Sequence, residues 1–246
     1  MQVVTNFDKT VSEIVRSDYR TSDIFKKYGI NYCCGGNTTL NEACKVQKIE
    51  ASVIQQELES ITKNLVIPSS IRFDEWELDF LVDYIVNVHH AYLKQTLPVL
   101  RNTLQTFASN HRDKYPFLDK VSEVYEELAS LLLEHLEEEE QKIFPYIKQI
   151  NSTHRRKETY GRLFVKTLSK PLTQVLASGH RHISALLSQL RELTKGYRFE
   201  ADACTNHQVV FQKLKELDVD ITHHEHLENN ILYPKALHLE KELLQF

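Results

Sequence analysis

Histidine is the residue to start from, because the chain carries twelve in 246 residues and imidazole is the commonest side-chain ligand for metals. Six side chains stand out by type and spacing: His90, His135, Glu139, His180, His224 and Glu228. His135 and Glu139 are four apart, as are His224 and Glu228. On a helix that spacing puts a ring nitrogen and a carboxylate on one face, about one turn from each other. Both pairs sit in a longer repeat, His-x-x-x-Glu-x-x-x-[Ile/Leu]-[Phe/Tyr]-Pro, as His135 to Pro145 and His224 to Pro234, so one half-site is written twice. Imidazole with carboxylate suits iron, zinc or manganese, and two bridging carboxylates with open positions favour two iron ions, with an oxo bridge as a further option. A second chemistry lies in Asn31-Tyr32-Cys33-Cys34-Gly35-Gly36-Asn37. Adjacent cysteines cannot close a relaxed disulfide with each other, so Cys33 and Cys34 are candidate catalytic thiols for metal capture, thiol exchange or accepting a nitrosyl group. The plainer reading is a tight glycine turn packed by small residues. Cys44 and Cys204 read as buried small hydrophobes.

The elements that must position these groups are four long stretches of helical period, roughly 76 to 108, 117 to 149, 169 to 196 and 205 to 241, joined by three short connections. The first has an inward stripe of Val82, Val86, His90, Leu93, Leu97, Leu100 and Leu104. The second has Leu128, Leu132, His135, Glu139, Ile143, Tyr146 and Ile150. The third has Leu172, Leu176, His180, Ile183, Leu187 and Leu190, and the fourth Leu214, Leu217, Ile221, His224, Glu228 and Ile231. Each stripe is interrupted near its middle by a histidine. A lone core histidine or glutamate is usually a hydrogen-bonded structural residue, but an unpartnered polar group facing a core costs ~1 to 3 kcal/mol, and six of them need one another or a metal. At ~1.5 Å per residue, His90 is ~27 Å from the end of its stretch and residue 137 is ~30 Å from the start of the next, so the levels agree. The fourth stretch agrees less closely. Each proline of the repeat is expected to end or bend its helix. In the run Glu137 to Glu140 only Glu139 lies in the stripe, and the other three read as a solvated face. His89, His182 and His226 fall off the stripes, at the surface or just behind the ligands.

Upstream, residues 1 to 64 read as short helices, Thr10 to Ser17, Ser22 to Tyr28 closed by Gly29, Leu40 to Gln47 with a Thr39/Glu42 capping box, and Ala51 to Lys63. Asn64 to Asp74, with Pro68, Ser69 and Ser70, is the expected boundary. The fold expected is all-α: a small helical domain over residues 1–66, then an up-down-up-down four-helix bundle over 67–246. Hydrophobic content of 41% excludes disorder, and a formal charge of -4 offers no global attraction to nucleic acid or anionic membrane. With no signal-like or spanning apolar run and few cysteines, the default location is cytoplasmic.

These residues resemble the iron-sulfur cluster repair di-iron proteins, the Repair of Iron Centers family of the YtfE and ScdA type. The likeness covers nearly the whole chain. It is carried by Tyr28 to Gly36 and Leu40 to Cys44, by His89-His90 followed by Leu97-Pro98, by His135 to Pro145, by His180, and by His224 to Pro234, and the bundle looks like a hemerythrin-like domain. The resemblance implies repair of clusters damaged by oxidative or nitrosative stress, with the di-iron centre supplying labile iron or handling nitric oxide. The partners implied are damaged or apo iron-sulfur proteins and small ligands such as nitric oxide or dioxygen, with a homodimer left open. The family also has a histidine matching His111, which the level arithmetic puts at a helix turn ~30 Å from the metals, so His111 is a second-tier residue unless the helix bends sharply at Pro98. Rival readings are an oxygen or nitric oxide binding or sensing module without repair activity, an oxidoreductase consuming nitric oxide or peroxide, and a structural zinc bundle.

Overall fold

The computed structural model describes residues 6–33, 36–61, 71–158, 160–166 and 179–245. Cys34, Leu172, Leu176 and the expected division at 66/67 lie outside them. The chain forms two compact units, Met1–Ser69 with Tyr197–Lys215, and Ser70–Gly196 with Glu216–Phe246.

The first unit holds α1 (Val11–Ser17), α2 (Thr21–Lys27), α3 (Leu40–Gln47) and α4 (Ala51–Ile61). Thr10 and Thr39 each accept from the amide three residues on and receive the returning glutamate, Glu13 and Glu42, at their own amides. Two orphan donors are thereby satisfied at each helix start. α2 stops because Gly29 takes φ +66°, letting Ile30 N–H reach back to Phe25 O at 2.8 Å, a Schellman closure that only glycine enters without strain. Gly36 has its own reason: a Cβ there would sit 2.3 Å from the Tyr32 carbonyl oxygen. Val11, Phe25, Leu40, Ile54 and Val209 form the core of this unit. Cys44 is buried in it, whereas Cys204 is only half-buried and departs from the reading that both pack as core residues.

The second unit is a bundle of helical rods. α5 (Leu78–Tyr84), a π-helical stretch Ile85–His90 and α6 (Ala91–His111) make the first rod. The second consists of α7 (Phe117–Glu138), a π stretch Glu139–Ile143 and α8 (Phe144–Arg155). Beyond the short α9 (Gly161–Lys166), the third rod is α10 (Gly179–Leu193). The fourth is made by α11 (Thr205–Leu227), of which the part from Glu216 on belongs to this unit, a π stretch Glu228–Leu232 and α12 (Tyr233–Gln245). α9 lies in the stretch read as the second connection, and its Val165 is buried in the bundle core.

Neither Pro145 nor Pro234 ends its rod. The turn before each widens instead: Phe144 N–H bonds to Glu139 O and Tyr233 N–H to Glu228 O, five residues back. Widening relieves the contact between the proline ring and the carbonyl it cannot bond. No proline accounts for the third widened turn, at Ile85–His90. Each one shifts the inward stripe by a residue, so that Ile85, Ile147 and Leu232 are buried where the 3.6-residue pattern nominates Val86, Tyr146 and Ile231. Among the described residues no helix is long and apolar enough to cross a membrane.

Candidate metal centre

The six singled-out side chains come from the four rods of the second unit and meet inside it. His90 and His224 face each other with Nε2 atoms 3.1 Å apart, and His135 and His180 do the same at 2.9 Å. Between the pairs lie the two carboxylates, both fully buried. Glu139 presents Oε2 to His90 at 3.5 Å and Oε1 to His135 at 3.2 Å. Glu228 presents Oε1 to His224 at 2.8 Å and Oε2 to His180 at 3.3 Å. Two four-ligand groups result, His90, His224, Glu139, Glu228 and His135, His180, Glu139, Glu228, each with its donor atoms within 4.8 Å of one another. Both glutamates belong to both groups, which is the arrangement of bridging carboxylates.

The donors fit cations. Two nitrogens on one ion with bonds of ~2.1 Å at a right angle stand roughly 3 Å apart, as these pairs do. Glu139 Oε2 and Glu228 Oε2 are buried without a hydrogen-bond partner, a cost that a positive ion removes. His90 Nδ1 bonds Glu140 Oε1 at 2.8 Å and His180 Nδ1 bonds Asn229 Oδ1 at 2.8 Å. In a neutral ring, an acceptor at Nδ1 fixes the proton there and leaves Nε2 as a lone pair aimed inward. Hard oxygen and borderline imidazole donors together suit iron, zinc or manganese.

The electrostatics describe a cluster that shares protons when no cation is bound. Burial and the neighbouring Glu228 charge raise Glu139 above the usual carboxylate range. Burial would raise Glu228 also, but His224 and His180 hold it well below that range. Burial and His224 push His90 down to about 4. His180 goes the other way: burial opposes, and Glu228 lifts it to about 9. His224 is raised too, against burial, chiefly by Glu228.

The repeat turns out to specify more than two ligands per copy. The residue after each shared glutamate, Glu140 and Asn229, holds the histidine of the preceding rod. The aromatic before each proline covers the same ring, Phe144 over His90 with centroids 5.4 Å apart and Tyr233 over His180 at 6.1 Å. Tyr233 also donates its hydroxyl to Glu139 Oε1. Glu140 thus is not merely solvated; it ties His90 to Lys94, whose Nζ lies 2.6 Å away. The widened turn at Glu139 changes the angular step, so neighbouring residues 139 and 140 both reach inward. His89 is buried as well, its ring stacked 5.8 Å from that of His224 and its Nδ1 2.9 Å from Asp220. Periodicity alone missed these groups; the aromatic of the repeat was the available signal.

His182 is exposed beside Glu127, and His226 is exposed beside Asn230. α6 continues past Pro98 to His111, which bonds Phe107 O at 3.0 Å and packs on that ring; it belongs to neither ligand group. Cys33 lies in the first unit, half-buried, with its amide on Asn31 Oδ1.

Residues 81–236 match the family described as Hemerythrin HHE cation binding domain, and residues 7–62 match ScdA_N, a domain of unknown function. The chain is 30% identical over 235 residues to the iron-sulfur cluster repair protein YtfE of Escherichia coli O157:H7, covering 94% of this chain and 97% of that one. It is 29% identical over 233 residues to the iron-sulfur cluster repair protein ScdA of Staphylococcus haemolyticus (strain JCSC1435), covering 95% and 99%. The same identity holds over 230 residues with YtfE of Enterobacter sp. (strain 638), at 94% and 97%.

Proposed function

Since the chain belongs to the hemerythrin HHE cation binding domain family and shares nearly its whole length with iron-sulfur cluster repair proteins, we propose that it holds two iron ions and repairs clusters damaged by oxidative or nitrosative stress. One observation carries the two-ion reading: two facing histidine pairs share both carboxylates. His90 and His224 would hold one ion, His135 and His180 the other, and Glu139 and Glu228 would bridge them. When bound, the irons supply one-electron redox chemistry and open coordination positions for a small ligand such as nitric oxide or dioxygen. The protein's own groups do the rest. Glu140 and Asn229 aim two rings, Tyr233 fixes Glu139, and the leucine stripes keep bulk water from the inner face.

Its substrates in this reading are damaged or apo iron-sulfur proteins, met in the cytoplasm, where thiols stay reduced. Cys33 and Cys34 would act on the partner as a thiol pair, through metal capture, exchange or nitrosyl acceptance.

The test is to load the purified chain, count its metal, and mix it, with inorganic sulfide and a reductant, with an apo iron-sulfur protein. About two irons per chain, with the cluster spectrum of the acceptor restored, is expected. Glu139→Ala, which removes a donor from both positions, should cut bound iron to well below one per chain and abolish restoration. Zinc in place of iron would overturn the reading. So would full iron with no transfer, the behaviour of a carrier, or catalytic loss of nitric oxide without transfer, the behaviour of an oxidoreductase.

A further inference from the structure

The two positions are not equivalent. His90 and His224 have side-chain exposures of 0% and 1%, whereas His135 and His180 have 12% and 11%. Outer contacts differ in the same sense. His90 is held by Glu140, itself paired with Lys94, under the Phe144 ring, and His224 lies against the buried His89, which Asp220 anchors. His180 is held by Asn229, a residue on the exposed surface. A bound cation leaves by stepwise replacement of its donors, and a new donor must be able to reach it. A sealed position offers none, while a position whose ligands are partly accessible does.

A further carboxylate stands beside that open side. Glu225 follows His224 in sequence but reaches to the third rod, where its Oε2 accepts from Ser184 Oγ at 3.0 Å, one helical turn beyond His180. Its Oε1 is buried without a hydrogen-bond partner. His180 is the strongest of the charged groups acting on it. The side chain as a whole is half-buried, between the ligand cluster and exposed Ser184. Neither half-site repeat nor the bridging scheme uses it, and the corresponding position of the other copy is Leu136, a fully buried apolar residue.

We propose that the position of His135 and His180 is the exchangeable one, the source of iron handed to a recipient, and that Glu225 is the carboxylate that receives the departing ion. This rests on the two-iron reading above. Ligand exchange here changes no oxidation state: Glu225 Oε1 replaces a histidine nitrogen, the freed imidazole takes a proton from solvent, and the recipient's donors then replace Glu225. His90 and His224 keep the inner ion, so the bundle stays assembled while its cargo leaves.

The test uses the full iron-loaded chain, reduced and without oxygen, mixed with excess ferrous chelator while the coloured chelate is followed. Two phases of equal amplitude are expected. Glu225→Gln, which keeps shape and loses charge, should slow the faster phase about tenfold, with the slower phase, total iron and circular dichroism unchanged; Glu225→Ala should do the same. In wild type, histidine-directed acylation mapped by mass spectrometry should appear on His135 and His180 with the faster phase. A single phase for both ions, a faster phase indifferent to both variants, or labelling of His135 and His180 only with the slower phase would each overturn the inference. Wild type that never holds two irons would instead overturn the two-iron reading itself, a distinct outcome.

Discussion

Tyr233 does two jobs where its repeat counterpart Phe144 does one: both rings cover a histidine of the preceding rod, but only Tyr233 carries a hydroxyl, given to Glu139. Outer hydrogen bonds of this kind orient a ligand and tune its basicity. Tyr233→Phe should therefore keep the fold and the iron count at saturation yet weaken iron binding by about 10- to 100-fold, read by competition against a chelator of known strength; an unchanged affinity would remove the hydroxyl from the account. Protons supply a second expectation at this scale. In the metal-free cluster His180 titrates at about 9, while His224 and Glu139 are also raised. A cation binds only the deprotonated donors, so loading must expel these protons and grow weaker as pH falls below about 9. Each proton displaced makes the apparent affinity change about tenfold per pH unit. Loading at pH 7 in two buffers of different ionisation heat should show release of at least the His180 proton by calorimetry, and heats independent of buffer would contradict it.

The rods themselves were largely legible, and the reason is physical. Leucines every three or four residues, Thr10 and Thr39 ahead of Glu13 and Glu42, and Gly29 after Tyr28 are local rules whose outcome does not depend on distant chain. His90, His135, His180 and His224 were readable as inward for the same reason, as were Glu139 and Glu228. The widened turns were not readable, because the angular arithmetic assumes 3.6 residues per turn throughout, and their effect is seen in Val86, Tyr146 and Ile231 giving way to Ile85, Ile147 and Leu232. The inward turn of Glu140 was lost to the same assumption, as was the burial of His89. The widened turn can be removed by experiment. Deleting Gln141 together with Pro145→Ala should restore regular α-helix from Phe117 onward. Helical content by circular dichroism should be retained, while bound iron falls below one per chain, because the rod beyond the deletion is rotated against Glu139. Pro145→Ala alone should leave iron in place. A deletion variant that still binds two irons would show that the extra residue has no role in aiming the ligands.

At the scale of the bundle, each four-donor group draws one histidine from the first two rods and one from the last two: His90 with His224, and His135 with His180. A cation at either position therefore ties one helical hairpin to the other, and neither hairpin alone completes a position. Metal should act as a staple of the native state, which by mass action adds about 4 kcal/mol at a thousandfold excess over Kd. For a unit of this size that corresponds to roughly 8 to 16 °C in Tm, measured by scanning loaded and chelator-stripped protein; a Tm indifferent to metal would refute the staple. The hairpins are also alike in plan. Each begins with a rod bearing one histidine of the cluster and ends with a rod whose half-site supplies a second histidine, a shared carboxylate, an acceptor for that first histidine and an aromatic cover for it. One hairpin thus contains every instruction that the other contains, and two identical copies related by a twofold axis would assemble the same six donors. Duplication and fusion of such a self-pairing ancestor would account for the doubled motif, and the departures between the copies, Glu140 against Asn229, Phe144 against Tyr233 and Leu136 against Glu225, would then record where a symmetric beginning acquired an inside and an outside.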